Sequence, residues 1–131
     1  MGDTVTEPKA AQAQLSSERR VEKPWGYEII WAEAPRYVGK ILHIAKGQRL
    51  SRQYHKVKEE TLRVLSGCMD LEVGPDDART VLTMRAGDVF HVKPTTIHRM
   101  IAVEDTDVLE VSTPELDDVV RLEDSYGRAG T

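Results

Sequence analysis

Residues 47–67 read GQRLSRQYHKVKEETLRVLSG, and the spacing that matters inside them is Gln53-x-His55-x4-Glu60, closed by Gly67. Successive side chains of a β-strand point to opposite faces, so Gln53 and His55, two apart, share a face if this stretch is extended. Glu60 comes beside them if the chain turns through residues 56–59 and runs back as a second strand. Further on, GDVFHVKPTTIH, residues 87–98, reads as another strand and turn ending in a histidine. Four nitrogen and oxygen donors, Gln53, His55, Glu60 and His98, then have the means to meet.

The segments around this stretch read as strands. GYEIIWAE, residues 26–33, follows the helix-breaking Lys23-Pro24-Trp25 and is rich in aromatic and β-branched residues. YVGKILHIA, residues 37–45, places Val38, Lys40, Leu42 and Ile44 on one face, where Lys40 either ends the row or faces an anion. Arg49–His55 and Thr61–Ser66 follow. Gly67-Cys68 reads as a tight hairpin with Met69–Val73 as the return strand, and Cys68 there is structural rather than nucleophilic. Arg79–Met84 and Val89–Val92 are expected to pair across residues 85–88. His98–Val103 and Val108–Ser112 complete the set, and the tail PELDDVVRLEDSYGRAGT reads as a turn of helix or a last strand. Short strands with a turn signal every eight to twelve residues indicate an all-β sandwich or barrel. His91 alternates with Phe90 and Val92 and should face outward, as Glu59 should beside Glu60; His43, like His91, lacks the ligand spacing.

Composition narrows the function classes. At 131 residues the chain suits one domain able to bury its own core. A net charge of −4 argues against a general affinity for nucleic acid or an anionic membrane, both of which favour basic surfaces. One cysteine excludes an internal disulfide. No apolar run reaches the ~20 residues of a membrane helix, and residues 1–20 lack the apolar core of a signal peptide. The expectation is a cytoplasmic protein in which residues 1–20, rich in Ala, Gln, Ser and charge, form a flexible arm and residues 21–128 the domain.

A lone histidine on a strand is more often a plain surface or core residue than a ligand, and it is the joint spacing that raises these four to a candidate set. Two imidazoles with two oxygen donors suit Zn, Mn, Fe, Co or Ni, and the absence of thiolate argues against a structural zinc site. Glu60 is the one anion among them, so a divalent ion would keep a net positive charge and open positions for a ligand's oxygens.

These residues carry a resemblance. GQRLSRQYHKVKEETLRVLSG is similar to the first signature of the cupin superfamily and GDVFHVKPTTIH to the second. Most cupins have histidine where this chain has Gln53, and glycine where it has Thr95. Glutamine at that point resembles the type II mannose-6-phosphate isomerase branch, as do KPWGYE at 23–28, RLSRQYH at 49–55 and VVRLEDSYGR at 119–128. The resemblance implies a double-stranded β-helix, a jelly-roll barrel with a divalent metal held inside by Gln53, His55, Glu60 and His98. It implies a small anionic sugar or sugar phosphate as partner, aldose–ketose isomerisation as the reaction, and a homodimer. Lys58 and Glu110 are then the catalytic candidates, Glu110 as the base, and Lys40, Arg121 and Arg128 the substrate-binding ones, each otherwise an ordinary solvated charge. The branch has arginine where this chain has Lys58, which keeps the charge and loses the bidentate fork. The alternatives are a small cupin acting as epimerase, lyase or Fe(II) dioxygenase, and a non-catalytic sugar-binding or sensor module.

Overall fold

A computed structural model of the chain describes residues 5–8 and 13–129. The described residues hold eleven strands and a single 3-10 turn at Asp76–Ala78. The strands are β1 (Arg19–Lys23), β2 (Gly26–Glu33), β3 (Val38–Ile44), β4 (Arg52–Tyr54), β5 (Glu60–Ser66), β6 (Cys68–Val73), β7 (Thr80–Arg85), β8 (Val89–Val92), β9 (His98–Ala102), β10 (Thr106–Ser112) and β11 (Val120–Glu123). They form two antiparallel sheets, β1-β2-β3-β10-β5-β8 and β11-β4-β9-β6-β7. The all-β expectation holds, and the tail is a last strand rather than helix.

Three local pairings differ from expectation, all for one reason. Alternation tells which face a residue takes, not which sheet its strand joins. β5 and β6 are not a hairpin: β5 pairs with β10 and β8, β6 with β7 and β9. Gly67 between them carries the chain across from one sheet to the other at φ +90°, and a side-chain carbon there would lie 2.1 Å from the Asp105 carbonyl oxygen. β7 and β8 likewise lie in opposite sheets, and so do β4 and β5. Glu60 therefore meets His55 from the opposite sheet, not from a neighbouring strand.

The amino-terminal boundary also shifts. β1 starts at Arg19, inside the expected arm, and pairs with β2 through Arg19↔Ile30 to Lys23↔Gly26. Residues 5–8 and 13–18 are exposed, while residues 1–4 and 9–12 of that arm lie outside the described residues.

Inward-facing positions change character along the barrel. Strand β3 runs Lys40, Leu42, Ile44; β10 runs Val108 to Glu110; β5 runs Glu60, Leu62, Val64; β9 runs His98, Met100, Ala102; all these residues are buried. Register places Lys40 opposite Glu110, and Leu42 opposite Val108 and, through it, Val64. One end is thus an apolar core, joined by Trp25, Leu50, Met69, Leu71, Met84 and Val92. The other end gathers the polar residues of the same strands. Burial of the apolar half drives closure, and the polar half is carried into the interior by the continuation of those strands.

Candidate metal centre and the cavity around it

His55 follows directly on β4, His98 opens β9 and Glu60 opens β5, and all three are buried. Their ligand atoms lie within 4.8 Å of one another. His55 Nε2 is 3.1 Å from Glu60 Oε1, and His98 Nε2 is 3.2 Å from the same oxygen. Gln53 is the register partner of His98 across β4 and β9, lines the same cavity, and accepts a hydrogen bond at Oε1 from Ser51 Oγ at 2.6 Å.

Main-chain carbonyls set the tautomer of both imidazoles. His55 Nδ1 lies 2.6 Å from the Asp118 carbonyl oxygen, and His98 Nδ1 lies 2.8 Å from that of Thr96. A carbonyl only accepts, so each Nδ1 carries the proton and each Nε2 turns inward toward Glu60. In the neutral tautomer two nitrogen lone pairs and a carboxylate oxygen are aimed at one point. Such an arrangement repels itself unless a cation stands among the three. Glu60 Oε2 and His98 Nε2 are moreover buried without a hydrogen-bond partner. Two imidazoles and a carboxylate, oriented from behind by backbone, are the donor set of a divalent transition metal. The residues present therefore fit such an ion. Burial works against ionisation of Glu60, but with no cation among the three the imidazoles meet the carboxylate only by donating from a protonated Nε2, and that donation from His55 and His98, with the Lys58 charge, holds the carboxyl well below the usual carboxylate range.

A cavity of about 600 Å³, including its open mouth, surrounds this centre. Trp25, Leu42, Leu50 and Met100 give it an apolar side, and Lys23, Lys40, Lys58, Arg121 and Arg128 a cationic one. Lys58 Nζ stands 3.5 Å from both Glu60 Oε2 and Glu110 Oε1. Lys40 faces an anion, as one of its two expected settings required: Nζ is 3.4 Å from Glu28 Oε2. Burial, with the Lys58 charge adding to it, pushes the Lys40 ammonium down, while Glu28 pulls it up. Arg121, opposite Gln53 in register, has its Nε buried with no partner. Burial and the neighbouring Arg128 push its guanidinium down from the ordinary value. Arg128 donates from Nε to Asp124 Oδ2 at 2.9 Å.

Of the nine residues named from the sequence, eight line this cavity, and the ninth, His98, meets one of them, Glu60, at 3.2 Å. His43 and His91 stand apart. His43 pairs with Asp107 at 2.7 Å, and the exposed His91 with the exposed Glu59 at 2.5 Å. Sequence reasoning missed Asp118, Glu28 and Ser51. Asp118 has the widest reach: its carboxylate accepts from the backbone N–H groups of Lys56, Val57 and Lys58 at 3.0, 2.7 and 2.9 Å. Those three N–H groups lower its carboxyl to about 2. No spacing signals this, because the partners are some sixty positions apart. Thr95 stands where the resemblance calls for glycine. It sits at φ +67°, a region that favours glycine, and its N–H donates to the His55 carbonyl at 2.6 Å.

Among the described residues no helix is long and apolar enough to cross a membrane. The chain is 27% identical over 139 aligned positions to the xanthan biosynthesis protein XanB of Xanthomonas campestris pv. campestris; the match takes in 96% of this chain and 29% of that protein. The fold is shared with KdgF from Halomonas sp., at a TM-score of 0.62 and 21% identity over 78% of this chain and 91% of that one. It is shared too with a Klebsiella pneumoniae protein containing a double-stranded β-helix domain, at a TM-score of 0.63 and 20% identity over 82% and 88% of the two chains. These structural likenesses establish the architecture, a double-stranded β-helix. Residues 40–113, more than half the chain, match the family model of the cupin domain. The chain belongs to the cupin domain family.

Proposed function

We propose that the protein is a metal-dependent sugar-phosphate isomerase of the mannose-6-phosphate type. One observation carries this: a single cavity sets a His-Glu-His centre beside a group of lysines and arginines. Gln53, His55, Glu60 and His98 would hold the ion. Bound there, a divalent metal supplies a Lewis acid for a carbonyl oxygen and its adjacent hydroxyl. Arg121, whose buried Nε has no hydrogen-bond partner, is the best-placed donor to a phosphate, with Arg128 and Lys40 lining the same cavity. Glu110 is the base that carries a proton between neighbouring carbons, and Lys58, 3.5 Å away, holds it in place. XanB, whose name assigns it to polysaccharide biosynthesis, is consistent with a sugar-derived substrate. This chain spans 29% of that protein, so the activity of the whole is part of the proposal. The proposal extends to a homodimer. Trp31 and Val111, both exposed, lie with the half-buried Ile29, Ile41 and Leu109 on the outer face of the six-stranded sheet, an apolar surface that a second copy would cover.

The donor set also favours a second reading. Two histidines and one carboxylate form the facial triad of non-haem Fe(II) oxygenases. Metal analysis of the purified protein beside Glu60→Ala and His98→Ala should show stoichiometric ion in the first and little in the variants. Interconversion of mannose and fructose 6-phosphates, stopped by chelation, is the expected activity. Oxygen uptake with Fe(II) and no isomerisation would favour the second reading. A panel of sugar phosphates that neither turns over nor stabilises the protein would overturn the first.

A further inference from the structure

Residues 114–128 form a strap along the edge of the five-stranded sheet, with β11 at its centre paired to β4. Leu116, Val119, Arg121 and Arg128 of this segment line the cavity. Its far half is pinned from outside. Glu123 pairs with Arg99 at 3.3 Å, Ser125 accepts from Arg49 at 2.8 Å, and the Tyr126 hydroxyl donates to Gln48 Oε1 at 2.6 Å. Its near half is held through Asp118. The Asp118 side chain gathers three consecutive N–H groups of the loop after His55, a backbone nest for one carboxylate. The main-chain carbonyl of the same residue accepts a hydrogen bond from His55 Nδ1–H. One residue thus holds the strap, the 56–58 loop that carries Lys58, and the orientation of an inward-facing imidazole.

We propose that Asp118 is a positioning residue that couples docking of the C-terminal strap to the affinity of the His55–Glu60–His98 centre for a divalent cation. This rests on the metal centre proposed above and adds what regulates it. Without the carboxylate anchor, the Asp118 carbonyl drifts, His55 loses its fixed tautomer and ring plane, and the centre weakens although every ligand is still present. Outer partners of ligating histidines change metal affinity by about 10- to 100-fold. Linkage makes the effect reciprocal, so an ion in the centre tightens the strap.

The test is a Co2+ titration followed by its visible absorption, with hydrogen exchange of residues 114–128 recorded with and without Co2+. The proteins are wild type, Asp118→Ala and Asp118→Asn, each first shown to unfold cooperatively. Asp118→Ala should weaken Co2+ about 10- to 100-fold, with an altered absorption band. Asn, which keeps one oxygen acceptor, should recover part of the affinity. Co2+ should slow exchange across the strap in wild type and much less in Asp118→Ala. Wild-type affinity and spectrum in Asp118→Ala would overturn the coupling and leave the metal centre standing. A wild type that takes up no Co2+ would overturn the centre and the coupling together. If Asp118→Ala does not fold, the Asn variant and the effect of Co2+ on wild-type exchange decide the matter: no change in either overturns the coupling.

Discussion

Gln53 and His98 face each other across β4 and β9, the one register pair joining these two strands. A neutral amide thus stands beside an imidazole at the wall of the centre, with its oxygen already accepting from Ser51 Oγ at 2.6 Å. Gln53→Ala should weaken divalent-metal binding by about tenfold, roughly 1.4 kcal/mol, and leave measurable affinity. His98→Ala should remove far more, since an imidazole is the stronger donor. Isothermal titration with Zn2+ or Co2+ checks the ranking; equal losses would remove Gln53's distinct status.

Lys58 is the only cation within ion-pair distance of both Glu60 and Glu110 among the described residues, and its side chain is 6% exposed. Lys58→Ala leaves two buried carboxylates facing each other. Removing one partner from a buried ionic cluster costs about 3–5 kcal/mol. Urea unfolding of the chelated variant should show a loss of that order, partly restored by a divalent cation that neutralises Glu60. No recovery with metal would separate Lys58 from the centre.

Thr95 is a β-branched residue at φ +67°. Such a conformation costs of order 1–2 kcal/mol, and here it is held because the Thr95 N–H must reach the His55 carbonyl. Thr95→Gly should raise stability by about 1 kcal/mol after the added freedom of the unfolded chain is counted. A shifted urea midpoint at unchanged slope would show it; a lower midpoint would mean that the threonine hydroxyl, bonded to the Pro94 carbonyl, outweighs the strain.

Gly67 and Gly87 both take positive φ, +90° and +93°. A side-chain carbon at Gly67 would overlap the Asp105 carbonyl, 2.1 Å away, whereas at Gly87 nothing lies within 4 Å. Gly87→Ala should cost about 1–2 kcal/mol, from backbone strain alone. Gly67→Ala must also displace backbone, and thermal unfolding should show a clearly larger loss. Equal losses would mean that the β5–β6 crossing relaxes freely.

Asp124 is fully buried by side chain and bonded to Arg128, which holds its carboxyl below the ordinary value of 3.8. A depressed carboxylate stabilises the folded state above the unfolded value, and that stabilisation fades as pH falls below it. Hydrogen-exchange protection of residues 122–128 should therefore hold above about pH 4 and decline below it. Asp124→Asn should show reduced protection already at neutral pH, with little further change on acidification. A wild type whose protection is flat through this range would remove Asp124 as the anchor.

Much of this was legible in local chemistry. Alternation at Val38, Lys40, Leu42 and Ile44 marked an inward row, and all four are buried. GYEIIWAE is β2 from end to end. The spacing of Gln53, His55 and Glu60 named side chains that line one cavity, and His98, after its turn, joins His55 and Glu60 in one cluster. β1 escaped notice because RRVEK, charged and half exposed, alternates too weakly to stand out from the arm before it.

The sequence by itself determined an all-β chain, its turns, and which donors are of metal-binding type, since these follow from the period of the strand and the chemistry of single residues. Only the tertiary structure decided that β4 and β5 lie in opposite sheets, so that Glu60 meets the histidines across the barrel. It also decided that Lys40 answers Glu28, and that Asp118 holds both His55 and the loop beyond it. Such relations join residues 5 to 63 positions apart. They are settled by which strands can bury their apolar faces together, and no local pattern carries that information.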